Sequence, residues 1–358
     1  MITGHGGNVQ ALAQRNGCTV DEIIDMSSNI NPLGPPEGVE AFIIDNIHKI
    51  RSLPQADALD MVNAFSDYYQ VDAKRVIGGN GTTWFIYTLP RALSWKKVLI
   101  AGPTYADYRD GCIMHDADYS FCMSLSENRF HQDLSKIGSM AGDVDAVIIC
   151  NPNNPTGALI PVEEIISLVK EHPDTWFVLD ESYLPFVENA EKISLVAETR
   201  FPNLIVLSSM SKIFRIPGLR TGYLCADPAV IEKLMKFYQP WSVNALSQAA
   251  IVHILENPEH IAPFMETTRQ FVIKEREIFE QAMAGIDGVK LYKSDTYFML
   301  AELLGTMNSA GVCNLVGNER ILIRDCANFH GLSDRFVRFS LRDRETNLHL
   351  ARIMKGVL

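Results

Sequence analysis

The chain has 358 residues, with 32 Lys and Arg against 43 Asp and Glu and a formal net charge of -11. That balance argues against a nucleic-acid partner, which needs a basic face, but not against a small anionic substrate met by a few focused arginines. With 47% hydrophobic and 21% charged residues, it reads as a soluble globular protein long enough for two cores.

Residues 1–8 lack the basic-then-apolar pattern of a secretory signal, and no apolar run approaches the roughly 20 residues that span a bilayer. No membrane partner and a cytoplasmic location are therefore expected. Residues 78–83, Gly-Gly-Asn-Gly-Thr-Thr, read as a glycine-rich turn ahead of a helix. Backbone N–H groups there, with Thr82 or Thr83, could cup a phosphate, and a plain turn accounts for them equally well. The Gly-x-Gly-x-x-Gly dinucleotide spacing is absent. Apolar residues 97–102 predict a strand ending at Pro103-Thr104-Tyr105, where Tyr105 can stack on a planar ring or pack a corner. A second strand, 144–150, runs into Asn151-Pro152-Asn153-Asn154-Pro155-Thr156-Gly157, a rigid turn that holds amides at the strand end.

Val162, Ile165, Ile166 and Val169 recur at helical spacing over 161–171. Residues 176–180 predict another buried strand that ends in Asp180, an N-cap or a carboxylate needing a cationic partner. The strand over 204–207 leads into Ser208-Ser209-Met210-Ser211-Lys212, with Arg220 eight positions on. An amine, hydroxyls and a guanidinium in one loop suit an aldehyde cofactor carrying a phosphate. A further strand is expected at 222–226. Beyond Pro240 come longer helices, 244–256 and 261–285, then strands at 289–292, 297–300, 321–324 and 336–339.

Apolar strands separated by helices imply an α/β fold with a mostly parallel sheet, whose ligands collect beyond the carboxyl ends of the strands. The C-terminal pattern adds a smaller α+β domain. Seven cysteines are scattered without Cys-x-x-Cys spacing, and the nine histidines form no His-x-x-x-His pair. Reduced thiols and no metal site are expected.

In chain order these motifs resemble the aspartate-aminotransferase-like, fold type I pyridoxal-phosphate enzymes. The resemblance implies pyridoxal 5'-phosphate as cofactor, with Lys212 as its covalent anchor and Asp180 beside its pyridine nitrogen. It further implies Asn154 and Tyr183 at the phenolic oxygen, Tyr105 on the ring, and Gly81, Thr82, Ser209, Ser211 and Arg220 at the phosphate. Two branches compete, the histidinol-phosphate aminotransferases and the threonine-phosphate decarboxylases of cobalamin biosynthesis. Residues 5–8, 25–35, 240–246 and 321–338 resemble the second. That similarity implies a phospho-amino-acid substrate, O-phospho-L-threonine or O-phospho-L-serine, held by His5, Asn29, Asn154, Arg324 and Arg338. It also implies a homodimer in which residues 1–40 join the pocket and small domain, 41–245 form the large domain and 246–358 the small one. Two positions depart from the pattern. Leu53-Pro54-Gln55 stands where both branches carry Tyr-Pro-Asp, whose tyrosine reaches the partner's cofactor phosphate, and Thr82 stands where an acidic residue is usual.

Overall fold

The computed structural model describes residues 6–198 and 200–358, so His5 lies outside the described residues. Among these, seven strands form the large sheet: β1 (Val76–Asn80), β2 (Lys97–Gly102), β3 (Asp118–Met123), β4 (Ala146–Cys150), β5 (Trp176–Asp180), β6 (Leu204–Ser208) and β7 (Thr221–Cys225). Their order is β1-β7-β6-β5-β4-β2-β3. Strands β2 to β6 pair in parallel, while β7 runs antiparallel to both β6 and β1. The expected α/β fold is therefore present, as a mixed sheet that is mostly parallel. Its central strands are buried along nearly their whole length, which is why they read as unbroken apolar runs.

Two expectations are corrected. Gly78 and Gly79 belong to strand β1, and the helix Gly81–Ala92 follows directly, with no turn of glycines between them. A Cβ on Gly78 would lie 2.6 Å from the Met61 Cε, and one on Gly79 2.9 Å from the Phe85 ring, so these glycines admit close helix packing. The apolar run 321–324 is also split. Ile321–Leu322 pairs in parallel with Ile24–Asp25, whereas Arg324–Asp325 opens a different sheet.

That second sheet is antiparallel, with β8 (Val289–Leu291), β9 (Phe298–Leu303), β10 (Arg324–Asp325) and β11 (Phe336–Ser340) in the order β10-β11-β9-β8. Helix Pro258–Met283 joins the two halves of the molecule. Its Ile261, Met265 and Val272 sit in the large-sheet core, and its Phe279 and Met283 in the core behind the small sheet. Helix Ala245–Leu255 contributes Ile251, Ile254 and Leu255 to the large core.

The N-terminal segment is laced between the halves. Met26 donates its N–H to Leu322 O and accepts from Ser340 N, each at 2.8 Å, and Asn31 N donates to Lys212 O at 3.1 Å. The Asn31 amide adds a 2.7 Å bond to Ile213 O. Residues 25–31 are thereby fixed over the carboxyl ends of the large sheet.

Candidate active site

Beyond the ends of β4, β5 and β6 lies a cavity of about 150 Å³. It is lined by Gly81, Thr82, Tyr105, Asn154, Asp180, Tyr183, Ser209, Ser211, Lys212 and Arg220, the residues that the resemblance places around the cofactor. Parallel strands bring them together because each strand's carboxyl end opens on the same edge. Asp180 is the last residue of β5, Asn154 follows β4, and Lys212 sits in the single helical turn Met210–Ile213 after β6. The peptide bonds preceding Pro152 and Pro155 are cis.

Asp180 is only 4% exposed. Its carboxylate accepts the Tyr108 hydroxyl at 2.7 Å and the Ser182 N–H at 2.9 Å. Burial raises its pKa above the ordinary range, opposed by those hydrogen bonds and by the Lys212 charge. A buried carboxylate held by neutral donors is completed by a cationic ring N–H. Lys212 is shifted the other way. Burial, with the Arg220 and Arg338 charges behind it, draws the amine down to about 8.

At the opposite end, helix Gly81–Ala92 points its first N–H groups into the cavity. Gly81 has φ +73°, and a Cβ there would stand 2.7 Å from the Arg220 Nη2, so glycine leaves the guanidinium its place. Gly222 in turn allows β7 to approach the helix start, since a Cβ there would collide with the Thr82 backbone. Ser211 donates its hydroxyl to Thr221 O at 2.8 Å. Glycine backbone, helix N-terminus, hydroxyls and one arginine form a donor set suited to a phosphate.

A second cavity, of about 400 Å³, adjoins the first and shares Tyr105, Asn154, Tyr183 and Lys212 with it. Asn29, Arg324 and Arg338 line its far side. Arg338 is 4% exposed; it donates to Asn154 Oδ1 and, at 2.6 Å, to Ser27 O, and its Nε is buried without a partner. Arg324 donates to Asn328 Oδ1 at 2.7 Å and lies over the Phe329 ring, 5.1 Å from its centroid. Asn29 Oδ1 accepts the Ser340 hydroxyl at 2.7 Å. Burial pushes the Tyr183 phenol up to about 12, with the Arg338 charge opposing.

Sequence reasoning missed Tyr108, Ser27 and Asn328. Tyr108 sits three residues after Tyr105 in helix Asp107–Met114, and that spacing is the one local sign that both rings face one cavity. Ser27 contributes only a carbonyl, which no side-chain motif reports. Asn328 reaches the pocket through the turn after β10. Among the described residues no cluster of candidate metal ligands occurs, and no helix is long and apolar enough to cross a membrane.

Residues 21–354 match the family model described as aminotransferase class I and II. The chain is 29% identical over 360 residues to threonine-phosphate decarboxylase of Salmonella typhimurium, covering 99% of this chain and 97% of that protein. Histidinol-phosphate aminotransferase of Methanocaldococcus jannaschii is 28% identical over 357 residues, covering 99% and 94%. The chain also spans 40% of the adenosylcobalamin biosynthesis bifunctional protein CobDQ of Leptospira interrogans, at 28% identity. Among solved structures, L-threonine-O-3-phosphate decarboxylase from Porphyromonas gingivalis superposes with a TM-score of 0.84 at 30% identity, covering 93% of this chain and 99% of that one.

Proposed function

The chain belongs to the class I and II aminotransferase family, whose enzymes work with pyridoxal 5'-phosphate, and on that premise we propose that it decarboxylates O-phospho-L-threonine or O-phospho-L-serine. The products are CO2 and the amino-alcohol phosphate, which would serve as the linker of a cobamide nucleotide loop. The enzyme would work as a homodimer in the cytoplasm.

When bound, the cofactor supplies an electrophilic aldehyde and a protonated ring that draws electrons from the substrate's Cα. Asp180, steadied by Tyr108 and Ser182, would keep that ring protonated. Gly81, Thr82, Ser209, Ser211 and Arg220 would hold the phosphate, and Lys212 would anchor the aldehyde until substrate displaces it. Arg338 takes the substrate carboxylate, and Arg324 takes the substrate phosphate. By orienting the carboxylate, Arg338 would select the Cα–carboxylate bond as the one that breaks. As the Cα–carboxylate bond breaks, CO2 departs without its electron pair and Lys212 delivers a proton to Cα in its place.

One observation carries this reading. Arg338 is a buried cation whose partners are neutral oxygens, in a cavity that also receives Arg324. A substrate with two anionic groups balances both charges. The methanogen relative favours a second reading, transamination of histidinol phosphate with 2-oxoglutarate. Purified holoenzyme given each phospho-amino acid should release CO2 without any 2-oxo acid. Turnover of histidinol phosphate that requires 2-oxoglutarate, with no CO2 formed, would establish the aminotransferase instead.

A further inference from the structure

We propose that Phe130 is a positioning residue for Arg324, acting from the large-sheet half of the molecule on the turn that follows β10. The proposal rests on Arg324 being a substrate anchor. That turn carries two supports of the Arg324 guanidinium, the Asn328 amide oxygen and the Phe329 ring. It is closed by Phe329 N to Cys326 O and Leu332 N to Phe329 O, both at 3.0 Å.

Three side chains of the large-sheet half grip the same turn. Phe121 of β3 stacks on His330, with ring centroids 4.3 Å apart and planes 21° apart. Met123, the end of β3, lies so close to Gly331 that any Cβ there would collide with its side chain, and Gly331 has φ +87°. Phe130 enters deepest. It is 3% exposed and shares one buried cluster with Phe329, Cys326 and Leu332. Its ring meets Tyr292 edge-on at 4.8 Å and Phe336 at 5.8 Å.

The backbone there is held at a cost. Arg129 and Phe130 take φ +57° and +60°, two consecutive residues with side chains in the left-handed region. Local bonds enforce the shape: Phe130 N to Leu125 O at 2.9 Å, Asn128 Nδ2 to His131 O at 2.9 Å, and Gln132 Nε2 to Gly102 O at 3.0 Å. The strained pair aims one phenyl ring out of the large-sheet half and into the cluster beneath Arg324. Phe130 lines neither cavity, so its effect on substrate passes through the buried cluster it shares with Phe329, the ring beneath Arg324.

The test is a double-mutant cycle on holoenzyme. The apparent Kd of O-phospho-L-threonine and of L-histidinol phosphate is read from the absorbance of the bound cofactor. Phe130→Ala should weaken the ligand that binds by about ten-fold, the scale of a disturbed cation–π support, and leave the absorbance of ligand-free holoenzyme unchanged. Gly331→Ala, which lifts the turn off Met123, should do the same without touching the large-sheet loop. In an Arg324→Ala background, which is itself weakened, neither change should cost anything more. Phe130→Leu keeps the site buried and covers the case in which Phe130→Ala does not fold; it should show a smaller loss of the same kind. An unchanged Kd in the Phe130 and Gly331 variants, alongside a raised Kd in Arg324→Ala, would overturn the grip alone, as would equal losses in both backgrounds. An unchanged Kd in Arg324→Ala would overturn the anchor and the grip with it.

Discussion

Tyr108 and Lys212 show how neighbours set the chemistry of single groups. The Tyr108 hydroxyl is one of two donors to the Asp180 carboxylate, and both residues are buried. Tyr108→Phe keeps the ring and removes the donor. A hydrogen bond to a charged acceptor is worth about 1.5–3 kcal/mol, so pyridoxal phosphate should bind some 10- to 100-fold more weakly. Fluorescence titration of apoprotein measures this directly, and an unchanged affinity would show that Ser182 and the cofactor suffice. For Lys212, burial and two arginines draw the pKa down to about 8. A depressed lysine releases its proton at lower pH, so the attacking neutral amine accumulates early. The rate of cofactor capture by apoprotein should rise about ten-fold per pH unit below 8 and level off above it. Stopped-flow absorbance follows the capture; a rate still climbing near pH 10 would assign Lys212 an ordinary amine.

At the scale of elements, a second buried carboxylate follows β5 directly. Glu181 accepts the Ser194 hydroxyl at 2.6 Å and the Leu195 N–H at 2.8 Å, pinning the far end of the segment that begins with Tyr183. The charged groups facing it are Asp180 just before it in the chain, Glu191 across the segment and Arg269 of helix Pro258–Met283, whose guanidinium pairs with Glu191. Burial, aided by the Asp180 charge and opposed by the two hydrogen bonds, pushes Glu181 up to about 7. Its folded pKa exceeds its unfolded value of 4.5, so the folded state binds the extra proton between them and stability falls as pH rises through that window. The shift corresponds to about 3 kcal/mol. Denaturant unfolding at a series of pH values should show Glu181→Gln losing that slope relative to the parent; parallel profiles would mean that Glu181 stays ionised. The same elements show what a sequence discloses. Strands β2, β4, β5 and β6 are buried on both faces and announce themselves as apolar runs ending in Tyr105, Asn154, Asp180 and Ser209 neighbourhoods. Strand β3 is an edge strand whose first three residues are exposed, so Asp-Tyr-Ser-Phe-Cys-Met carries no such run. The glycines of β1 read as a turn because the close approach of Met61 and Phe85 that demands them arises only when the flanking helices pack on the strand, which local composition does not show. Tyr108 is hidden for a related reason: its partner Asp180 lies 72 residues on and meets it only once strands are placed side by side, whereas Asn328 meets Arg324 four residues away through the fold of one local turn that carries no apolar period.

The molecule as a whole leaves one surface unexplained by its own packing. Ile44, Ile47, Ile50 and Leu53 are between 52% and 75% exposed within a stretch of ten residues, and Leu59 follows at 48%. Large apolar side chains concentrated in this way mark contact with another protein surface. Sedimentation should show a species of twice the chain's mass at micromolar concentration, and Ile50→Asp with Leu53→Asp should shift it toward the monomer by at least about ten-fold in dissociation constant. Leu53 itself separates assembly from cofactor binding. At its position the resemblance implies a tyrosine that would reach the partner's cofactor phosphate, and a leucine has no hydroxyl to donate. Leu53→Tyr should therefore tighten pyridoxal phosphate binding by about the 0.5–1.5 kcal/mol of one net hydrogen bond, and only at concentrations where the dimer persists. Equilibrium titration at two protein concentrations, one on each side of the dimer dissociation constant, measures both effects together. A gain that survives in the monomer would place the new hydroxyl outside any contact between copies, and no gain in the dimer would mean that Arg220 and the start of helix Gly81–Ala92 already satisfy the phosphate.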